Sequence, residues 1–347
     1  MNTGSIDRGT EQWDIVSSWA DPEFAKERGM DVPPDGWIGD RRSPERKGFR
    51  LTILRAFLIW LVVLGLGLLT GLVLGIVFAI AYLVLNPHAA PESLQSAVKD
   101  SELLAVIGLI IGEIEIIAVA LIIRIRSSLK IRDNLSLSKL NMVMILSVPV
   151  ICLSYFVVSS EMENISAMVF GRIEAFSLST TQVSSIPGAG GLAIAIICIG
   201  VLPAVIEETL FRGVIQVGLT NKYGAMKAII VTSILFSTLH ISPTVLLPIF
   251  VMSLVIGYVF YKTNNLLYPI AFHLLNNVVA VLLTRYHSSF SIEGINSTSN
   301  SIEHVNGILL LVTTIVFAAS IVALGKYKLS RNTTSATGSL TLEGSVG

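Results

Sequence analysis

The chain has 347 residues and no net charge, and 52% of its residues are hydrophobic while only 14% are charged. Soluble globular domains carry roughly 25% charged residues, so this composition argues against a water-soluble fold. The sequence also lacks a basic face interleaved with aromatic residues, so no nucleic-acid partner is predicted.

Long apolar segments indicate that the chain crosses a membrane many times. A helix needs about 20 mainly apolar residues to cross the hydrocarbon at about 1.5 Å per residue. We therefore predict an all-α, multi-pass transmembrane helical bundle of about eight spans. The predicted spans are 54–85, 103–124, 141–159, 188–216, 227–242, 244–261, 267–284 and 307–325. The fifth and sixth meet at Ser242 and Pro243, so one of them is expected to be short, tilted or broken.

The first span contains Gly67, Gly71 and Gly75, which share one helix face at four-residue spacing. Small residues on one face allow the backbones of two membrane helices to approach closely. The spacing therefore predicts a ridge against which a neighbouring helix packs.

Polar segments flank the apolar region at both ends. Residues 1–50 are predicted to form a polar, partly disordered cytoplasmic tail, and residues 329–347 a second disordered cytoplasmic tail. Residues 51–328 between them are predicted to form the transmembrane bundle.

The distribution of Lys and Arg predicts the orientation of the bundle. Both tails, the loop 124–139 and the region 220–227 are rich in these residues, whereas the loops 86–102, 159–187 and 286–306 carry few. Positively charged loops stay in the cytoplasm. An integral membrane protein with both termini cytoplasmic, in the cell membrane, is the expected arrangement.

The fourth predicted span contains a short polar motif that begins at Glu207. Ionisable side chains at mid-bilayer cost at least about 2.5–3.5 kcal/mol, so each is a candidate functional residue. Glu208 and Arg212 are four residues apart and share a helix face, where they can form an ion pair. Glu207 points about 100° away and has no local partner, which suits a general acid or base. Pro203 is expected to kink the helix beside it.

The next span ends in a second motif, Phe236 followed four residues later by His240. The turn at 221–224 lies midway between Glu207 and His240. Residues equally distant from the turn of an antiparallel hairpin lie at equal depth, so these two side chains are expected to face each other.

Two further groups of polar residues lie inside spans. His273 and Asn277 are four residues apart in the seventh span, where they can stabilise an oxyanion or hydrogen-bond to a neighbouring helix. Glu113 and Glu115 in the second span have no spaced partner. A proton path, a helix contact and a cavity lining are all open for them, and a cavity lining is favoured.

Taken in order, E-E-x-x-x-R, F-x-x-x-H and H-x-x-x-N on successive membrane helices resemble the CPBP intramembrane proteases, which include the type II CAAX prenyl endopeptidases. The resemblance covers a core at about residues 186–284. It implies that Glu207 and His240 activate a water for attack on a peptide carbonyl, while His273 and Asn277 stabilise the oxyanion. Glu208, Arg212 and Phe236 would support the site.

The resemblance leaves the cofactor open. Either no metal is required, which is favoured, or a zinc ion is held by Glu207, His240 and His273, which come from three different helices. The implied partner is a membrane-embedded or lipidated peptide or protein, with the site opening to the cytoplasm. The oligomeric state is not predicted.

Two other functions compete with the protease. A non-catalytic relative could bind a membrane partner, as in bacteriocin immunity or scaffolding. A transporter could relay protons or ions through Glu113, Glu115, Glu207 and the histidines, but it predicts internal repeats and a continuous acidic path, neither of which is evident.

Overall fold

The structure is a computed structural model that describes residues 49–127, 140–171, 178–296 and 302–326. The predicted tail 329–347 and almost all of the predicted tail 1–50 lie outside these residues. Within the described ranges all regular secondary structure is helical, which confirms the all-α class.

Eight of the ten described helices correspond to the predicted spans. In chain order the helices are α1 (Ile53–Leu85), α2 (Pro91–Lys99), α3 (Glu102–Arg126), α4 (Met142–Phe170), α5 (Leu178–Ser185), α6 (Gly188–Tyr223), α7 (Ala225–Thr238), α8 (Pro243–Thr263), α9 (Leu267–Arg285) and α10 (Gly307–Lys326). The short helices α2 and α5 lie in segments that were predicted to be loops, and α4 continues to Phe170, beyond its predicted end at residue 159. By length and composition, seven of them can cross a membrane: α1, α3, α4, α6, α8, α9 and α10.

The remaining predicted span, the fifth at 227–242, corresponds to α7, which has only 14 residues. At the helical rise it reaches about 21 Å, less than the hydrocarbon thickness of about 30 Å. It ends at Thr238, and Ile241 turns the chain with a φ of 56°. Ser242 precedes a proline and so disfavours a helical conformation, which keeps α7 separate from α8. The prediction that one of the fifth and sixth spans is short is confirmed.

Hydrogen bonds between distant residues define the two ends of the bundle. At the basic end, where α1, α4 and α9 begin and α6, α8 and α10 end, the bonded pairs are Asn221 with Phe49, Asn141 with Tyr268, and Lys262 with Gly325. At the loop end, where α4 and α9 end and α6 and α10 begin, they are Asn164 with Gly294, Glu161 with His304, and Arg285 with Ile186. These contacts show at which end of the bundle α1, α4, α6, α8, α9 and α10 begin or end.

The helices differ in how deeply they are buried. Half of the most apolar stretch of α8 is buried, compared with 6% for α1 and for α10. The central position therefore belongs to α8, while α1 and α10 expose apolar side chains at the periphery, as helices facing lipid do.

The predicted glycine ridge on α1 is wrong as a packing surface. Among the described residues, no atom of another segment lies within 4 Å of the position that a Cβ would take at Gly67, Gly71 or Gly75. Small residues permit a close helix contact but do not enforce one, and α1 lies at the edge of the bundle.

Candidate active site

The polar motifs lie on three neighbouring elements. Glu207, Glu208 and Arg212 are on α6, Phe236 and His240 are at and just beyond the end of α7, and His273 and Asn277 are on α9. Because α6 and α7 are joined by Gly224 alone, they form the predicted hairpin with its turn at the predicted place.

The helix α6 changes type around its motif. Residues 196–201 and 209–216 are π-helical, and the α-helical residues 202–208 between them carry both glutamates. The first π segment ends at Val201, two residues before Pro203, close to the place where the sequence predicted a kink. A π segment adds a residue to the turn and so rotates the side chains that follow, and it often occurs at functional sites.

Glu208 and Arg212 form the predicted ion pair. The Arg212 Nη1 to Glu208 Oε1 distance is 2.9 Å, and both side chains are fully buried. Arg212 Nη2 donates to the Ser253 hydroxyl on α8 at 2.8 Å, and the guanidinium lies 4.7 Å from the centre of the Phe236 ring. A buried charge needs partners of this kind to offset its loss of hydration.

Glu208 also binds His273, which local spacing within one helix did not predict. His273 Nδ1 lies 2.9 Å from the same Oε1 atom. Because an ionised carboxylate only accepts hydrogen bonds, Nδ1 carries the proton in this contact. The contact fixes the ring so that Nε2 faces Glu207, with 3.9 Å between Nε2 and Glu207 Oε2.

Glu207 has a different environment from its neighbour. Its side chain is 15% exposed, and Oε2 is buried without a hydrogen-bond partner among the described residues. A buried carboxylate oxygen without a partner is uncommon in a folded protein and marks Glu207 as a candidate functional group.

His240 follows the last turn of α7 and contacts Phe236. Its Nδ1 donates to the Phe236 carbonyl at 3.3 Å, which leaves Nε2 directed away from the helix end. The Phe236 ring packs against His240, His273 and Phe211, with ring centres 5.4, 5.9 and 5.0 Å away. One aromatic ring therefore separates and positions both histidines.

Asn277 bonds to the irregular part of α6. Its Nδ2 donates to the Ile199 carbonyl at 2.8 Å. Pro203 has no N–H to offer this carbonyl, which lies four residues earlier, so the side chain of Asn277 supplies a donor that the helix lacks. This bond occupies one of the two N–H groups of the amide.

A single cavity of about 1430 Å³ is lined by Glu207, His240, His273 and Asn277. These four residues were predicted to meet around one pocket, and the structure brings them together. Pro203 and Phe236 line the same cavity.

Glu113 and Glu115 of α3 line this cavity too, which is the role that was favoured for them. Glu113 is 8% exposed, and its Oε2 is buried without a hydrogen-bond partner among the described residues. Glu115 accepts a hydrogen bond from the Thr70 hydroxyl on α1. The cavity therefore contains carboxylates beyond those of the motifs.

Ser253 and Gly257 on α8 form contacts with α6 that were not predicted from the sequence. Arg212 binds Ser253, and Gln216 Nε2 donates to the Gly257 carbonyl at 2.8 Å. Both contacts span 41 residues, so α6 and α8 run parallel and in register. The sequence signal for these contacts is a shared four-residue spacing. The small residues Ser253 and Gly257 on α8 have the same spacing as the polar residues Arg212 and Gln216 on α6.

The proposed zinc ligands are not gathered as a metal site. Among the described residues, no group of three or more His, Cys, Asp or Glu side chains has the arrangement to hold a metal ion. Two of the three proposed ligands, His273 and Glu207, have 3.9 Å between Nε2 and Oε2. The donor set as placed here does not fit a tetrahedral zinc site with His240 as third ligand.

Comparison with known proteins gives one match. Residues 189–279, about a quarter of the chain, match the family described as Type II CAAX prenyl endopeptidase Rce1-like. No curated protein and no solved structure gives a significant match. The matched segment contains all seven motif residues, whereas Glu113 and Glu115 lie outside it. Residues 189–279 are therefore similar to the type II CAAX prenyl endopeptidase Rce1-like family, and membrane endopeptidase is the general activity that this similarity supports.

Proposed function

We propose that the protein hydrolyses a peptide bond in a membrane-anchored polypeptide, with Glu207 and His240 activating the attacking water. The observation that carries this proposal is the buried Glu207 carboxylate. It lines a cavity shared with His240, His273 and Asn277, and one of its oxygens has no partner among the described residues. A prenylated CAAX-like end is the first substrate form to test, because the matched family is named for it.

In the proposed reaction, Glu207 accepts one proton of the water and Nε2 of His240 accepts a hydrogen bond from the other. The water oxygen attacks the carbonyl carbon and forms a tetrahedral intermediate. The C–N bond then breaks, and Glu207 returns its proton to the leaving amine. General acid–base catalysis of this kind contributes about 10²–10⁴-fold.

The oxyanion would be stabilised by Asn277 and His273. The second N–H of the Asn277 amide is one donor, since the first binds Ile199. His273 becomes a donor only when Nε2 carries a proton in addition to Nδ1, because Nδ1 is engaged by Glu208. Each donor of an oxyanion hole is worth about 2.7–4 kcal/mol.

Glu208, Arg212 and Phe236 would act by positioning these groups. Glu208 orients His273, Arg212 neutralises Glu208, and Phe236 packs against both histidines. We propose that the reaction needs no metal. His273 is already bound to Glu208, and Glu207 with His240 can activate the water directly.

The decisive experiment is cleavage by purified protein in proteoliposomes. The substrates are an internally quenched peptide with a prenylated CAAX end and a second peptide anchored by an apolar helix. Glu207→Gln should reduce cleavage of the accepted substrate by at least about 10²-fold. Glu102→Gln, an exposed acid in the first turn of α3, is the matched control and should cleave at the wild-type rate.

A chelator arm tests the metal proposal in the same assay. Activity and protein-bound metal are measured before and after treatment, and activity should persist after chelation. Loss of activity that zinc restores would replace the metal-free mechanism by a zinc mechanism. Cleavage by Glu207→Gln at the wild-type rate would end the protease proposal.

A further inference from the structure

The active-site cavity extends from Glu207 toward only one end of the bundle. On α9 its lining runs from His273 to Thr284 and on to His287, which follows the helix at the loop end. On α6 it runs from Glu207 back toward Ile199, which is again toward the loop end. On α4 it runs from Tyr155 to Glu163. On each of these three helices, the residues that line the cavity therefore lie between the site and the loop end.

The opposite direction is filled by packed side chains. Phe211, Arg212 and Ile215 follow Glu207 toward the basic end, and each is at most 1% exposed. Phe236 on α7 and Ile256 on α8 close the same layer and are buried to the same extent. A layer packed in this way leaves no passage for a peptide to reach Glu207 from the basic end.

The two ends of the bundle differ in charge. Among the described residues, Lys99 and Arg285 are the basic residues at the loop end, and Arg212 is in the core. The other described Lys and Arg residues lie at the basic end: Arg50, Arg55, Arg124, Arg126, Lys222, Lys227, Lys262 and Lys326. Arg285 is bound to the backbone carbonyls of Ser184, Ile186 and Gly188. The positive-inside rule assigns the basic end to the cytoplasm.

We infer that the substrate enters from the non-cytoplasmic side, so that the bond cleaved lies in the extracytoplasmic part of a membrane-anchored polypeptide. This inference rests on the proposed function for the cleavage itself, and on the cavity and the charge distribution for the side. It differs from the sequence-based expectation, in which the site opens to the cytoplasm.

The walls of the cavity indicate what kind of polypeptide fits. Val63, Leu64 and Leu68 of the peripheral helix α1 form an apolar side wall next to the bilayer. The rim at the loop end carries the exposed polar residues Thr181 and His287. A chain with an apolar anchor in the outer leaflet and a polar segment outside the membrane matches both surfaces.

Cysteine labelling tests the side of access without relying on activity. The native cysteines, Cys152 and Cys198, are replaced by alanine. His287→Cys at the rim and Lys227→Cys at the basic end, both exposed, are then treated in intact cells with a membrane-impermeant maleimide. His287→Cys should label as fully in intact cells as after permeabilisation, whereas Lys227→Cys should label only after permeabilisation. The reverse pattern, or equal labelling of both, overturns the inference.

Blocking of the cavity links the side of access to cleavage. Thr284→Cys lies inside the cavity, about one turn before the rim residue His287. In sealed vesicles with the loop end outside, a bulky impermeant maleimide added outside should abolish cleavage, and the same reagent enclosed inside should not. Inhibition only by the enclosed reagent overturns the inference while the proposed function stands. Absence of cleavage by the untreated wild type ends the proposed function, and the labelling still reports the side of the rim.

Discussion

Glu207 and Glu208 are adjacent in the chain but have opposite surroundings. Glu208 is fully buried, and its Oε1 accepts from both Arg212 and His273. Glu207 is partly exposed to the cavity, and its Oε2 has no partner among the described residues. The rotation of about 100° between successive helical residues is enough to separate a structural carboxylate from a reactive one.

Replacing Glu208 should therefore affect stability as well as activity. Glu208→Gln removes the charge that compensates the buried Arg212, and breaking a buried ion pair in this way costs about 3–5 kcal/mol. It also frees His273 from its fixed orientation, so cleavage should fall. Thermal unfolding in detergent, followed by tryptophan fluorescence, measures the loss of stability.

Glu207→Gln is the matched control for this prediction. It removes no hydrogen bond of Oε2, and the contact of this oxygen with His273 Nε2 is long at 3.9 Å, so its midpoint of unfolding should stay near that of the wild type while its activity is lost. Equal destabilisation by the two variants would contradict the division of roles between the glutamates.

At the scale of elements, Pro203 and Asn277 connect α6 to α9. Pro203 leaves the Ile199 carbonyl without a main-chain donor from its own position, and Asn277 provides one from α9. The proline is also next to a π segment, so the irregularity of α6 and the placement of Asn277 have a common cause.

A double-mutant cycle should detect this connection. Asn277→Ala removes an interhelical hydrogen bond worth about 0.6–1.7 kcal/mol in membrane proteins. In a Pro203→Ala background residue 203 regains its N–H, so the same substitution should cost less unfolding free energy. The free energies are measured by denaturant titration in mixed micelles.

The activity of the same variants separates the two roles of Asn277. Cleavage should stay low for Asn277→Ala in both backgrounds, because alanine at 203 does not replace the oxyanion donor. An identical stability cost in both backgrounds would show that the amide does not compensate for the proline.

The hairpin of α6 and α7 depends on the backbone of one glycine. Gly224 has φ 82° and ψ 164°, a region that side-chain-bearing residues essentially do not adopt. Gly224→Ala should therefore destabilise the fold by about 1–3 kcal/mol even though no neighbouring atom would touch the new Cβ.

Gly71→Ala is the control for this prediction, because Gly71 also has open space around it but lies within the regular helix α1. Alanine should stabilise a helix interior by about 0.5–1 kcal/mol relative to glycine. A loss of stability in Gly71→Ala would restore the glycine ridge as a packing surface. Thermal unfolding of both variants in the same detergent decides the matter.

At the scale of the whole molecule, the cavity is acidic. Its lining includes Glu113, Glu115, Glu163 and Glu207, and no Lys or Arg is among the described residues that line it. Charges inside a poorly hydrated cavity interact more strongly than charges at an open surface. A substrate with acidic residues beside the scissile bond would be repelled.

Peptides with Lys beside the scissile bond should therefore be cleaved more efficiently than peptides with Glu at the same positions. We expect a difference in kcat/KM of about tenfold, which corresponds to about 1.4 kcal/mol. Glu163→Gln at the rim should reduce this preference without reversing it. Equal kcat/KM values for the two peptides would show that cavity charge does not select the substrate.

The parts of the site that were predicted from sequence are those that depend on distance along one helix. The Glu208–Arg212 pair follows from four-residue spacing, and the hairpin turn follows from its central position between Glu207 and His240. Local propensity also explains why α7 and α8 are separate helices, since Ser242 precedes a proline. The contact of His273 with Glu208 and that of Arg212 with Ser253 could not be predicted in this way.

The sequence by itself determined that the chain is a membrane bundle with reactive groups on particular helices, because apolar length and helical periodicity are properties of local segments. Only the tertiary structure decided which groups meet and toward which end their cavity runs. Loop sequences do not determine the rotation and register of one helix against another, whereas the packing of α6, α8 and α9 does. That packing turns separate motifs into one cavity and closes its basic end.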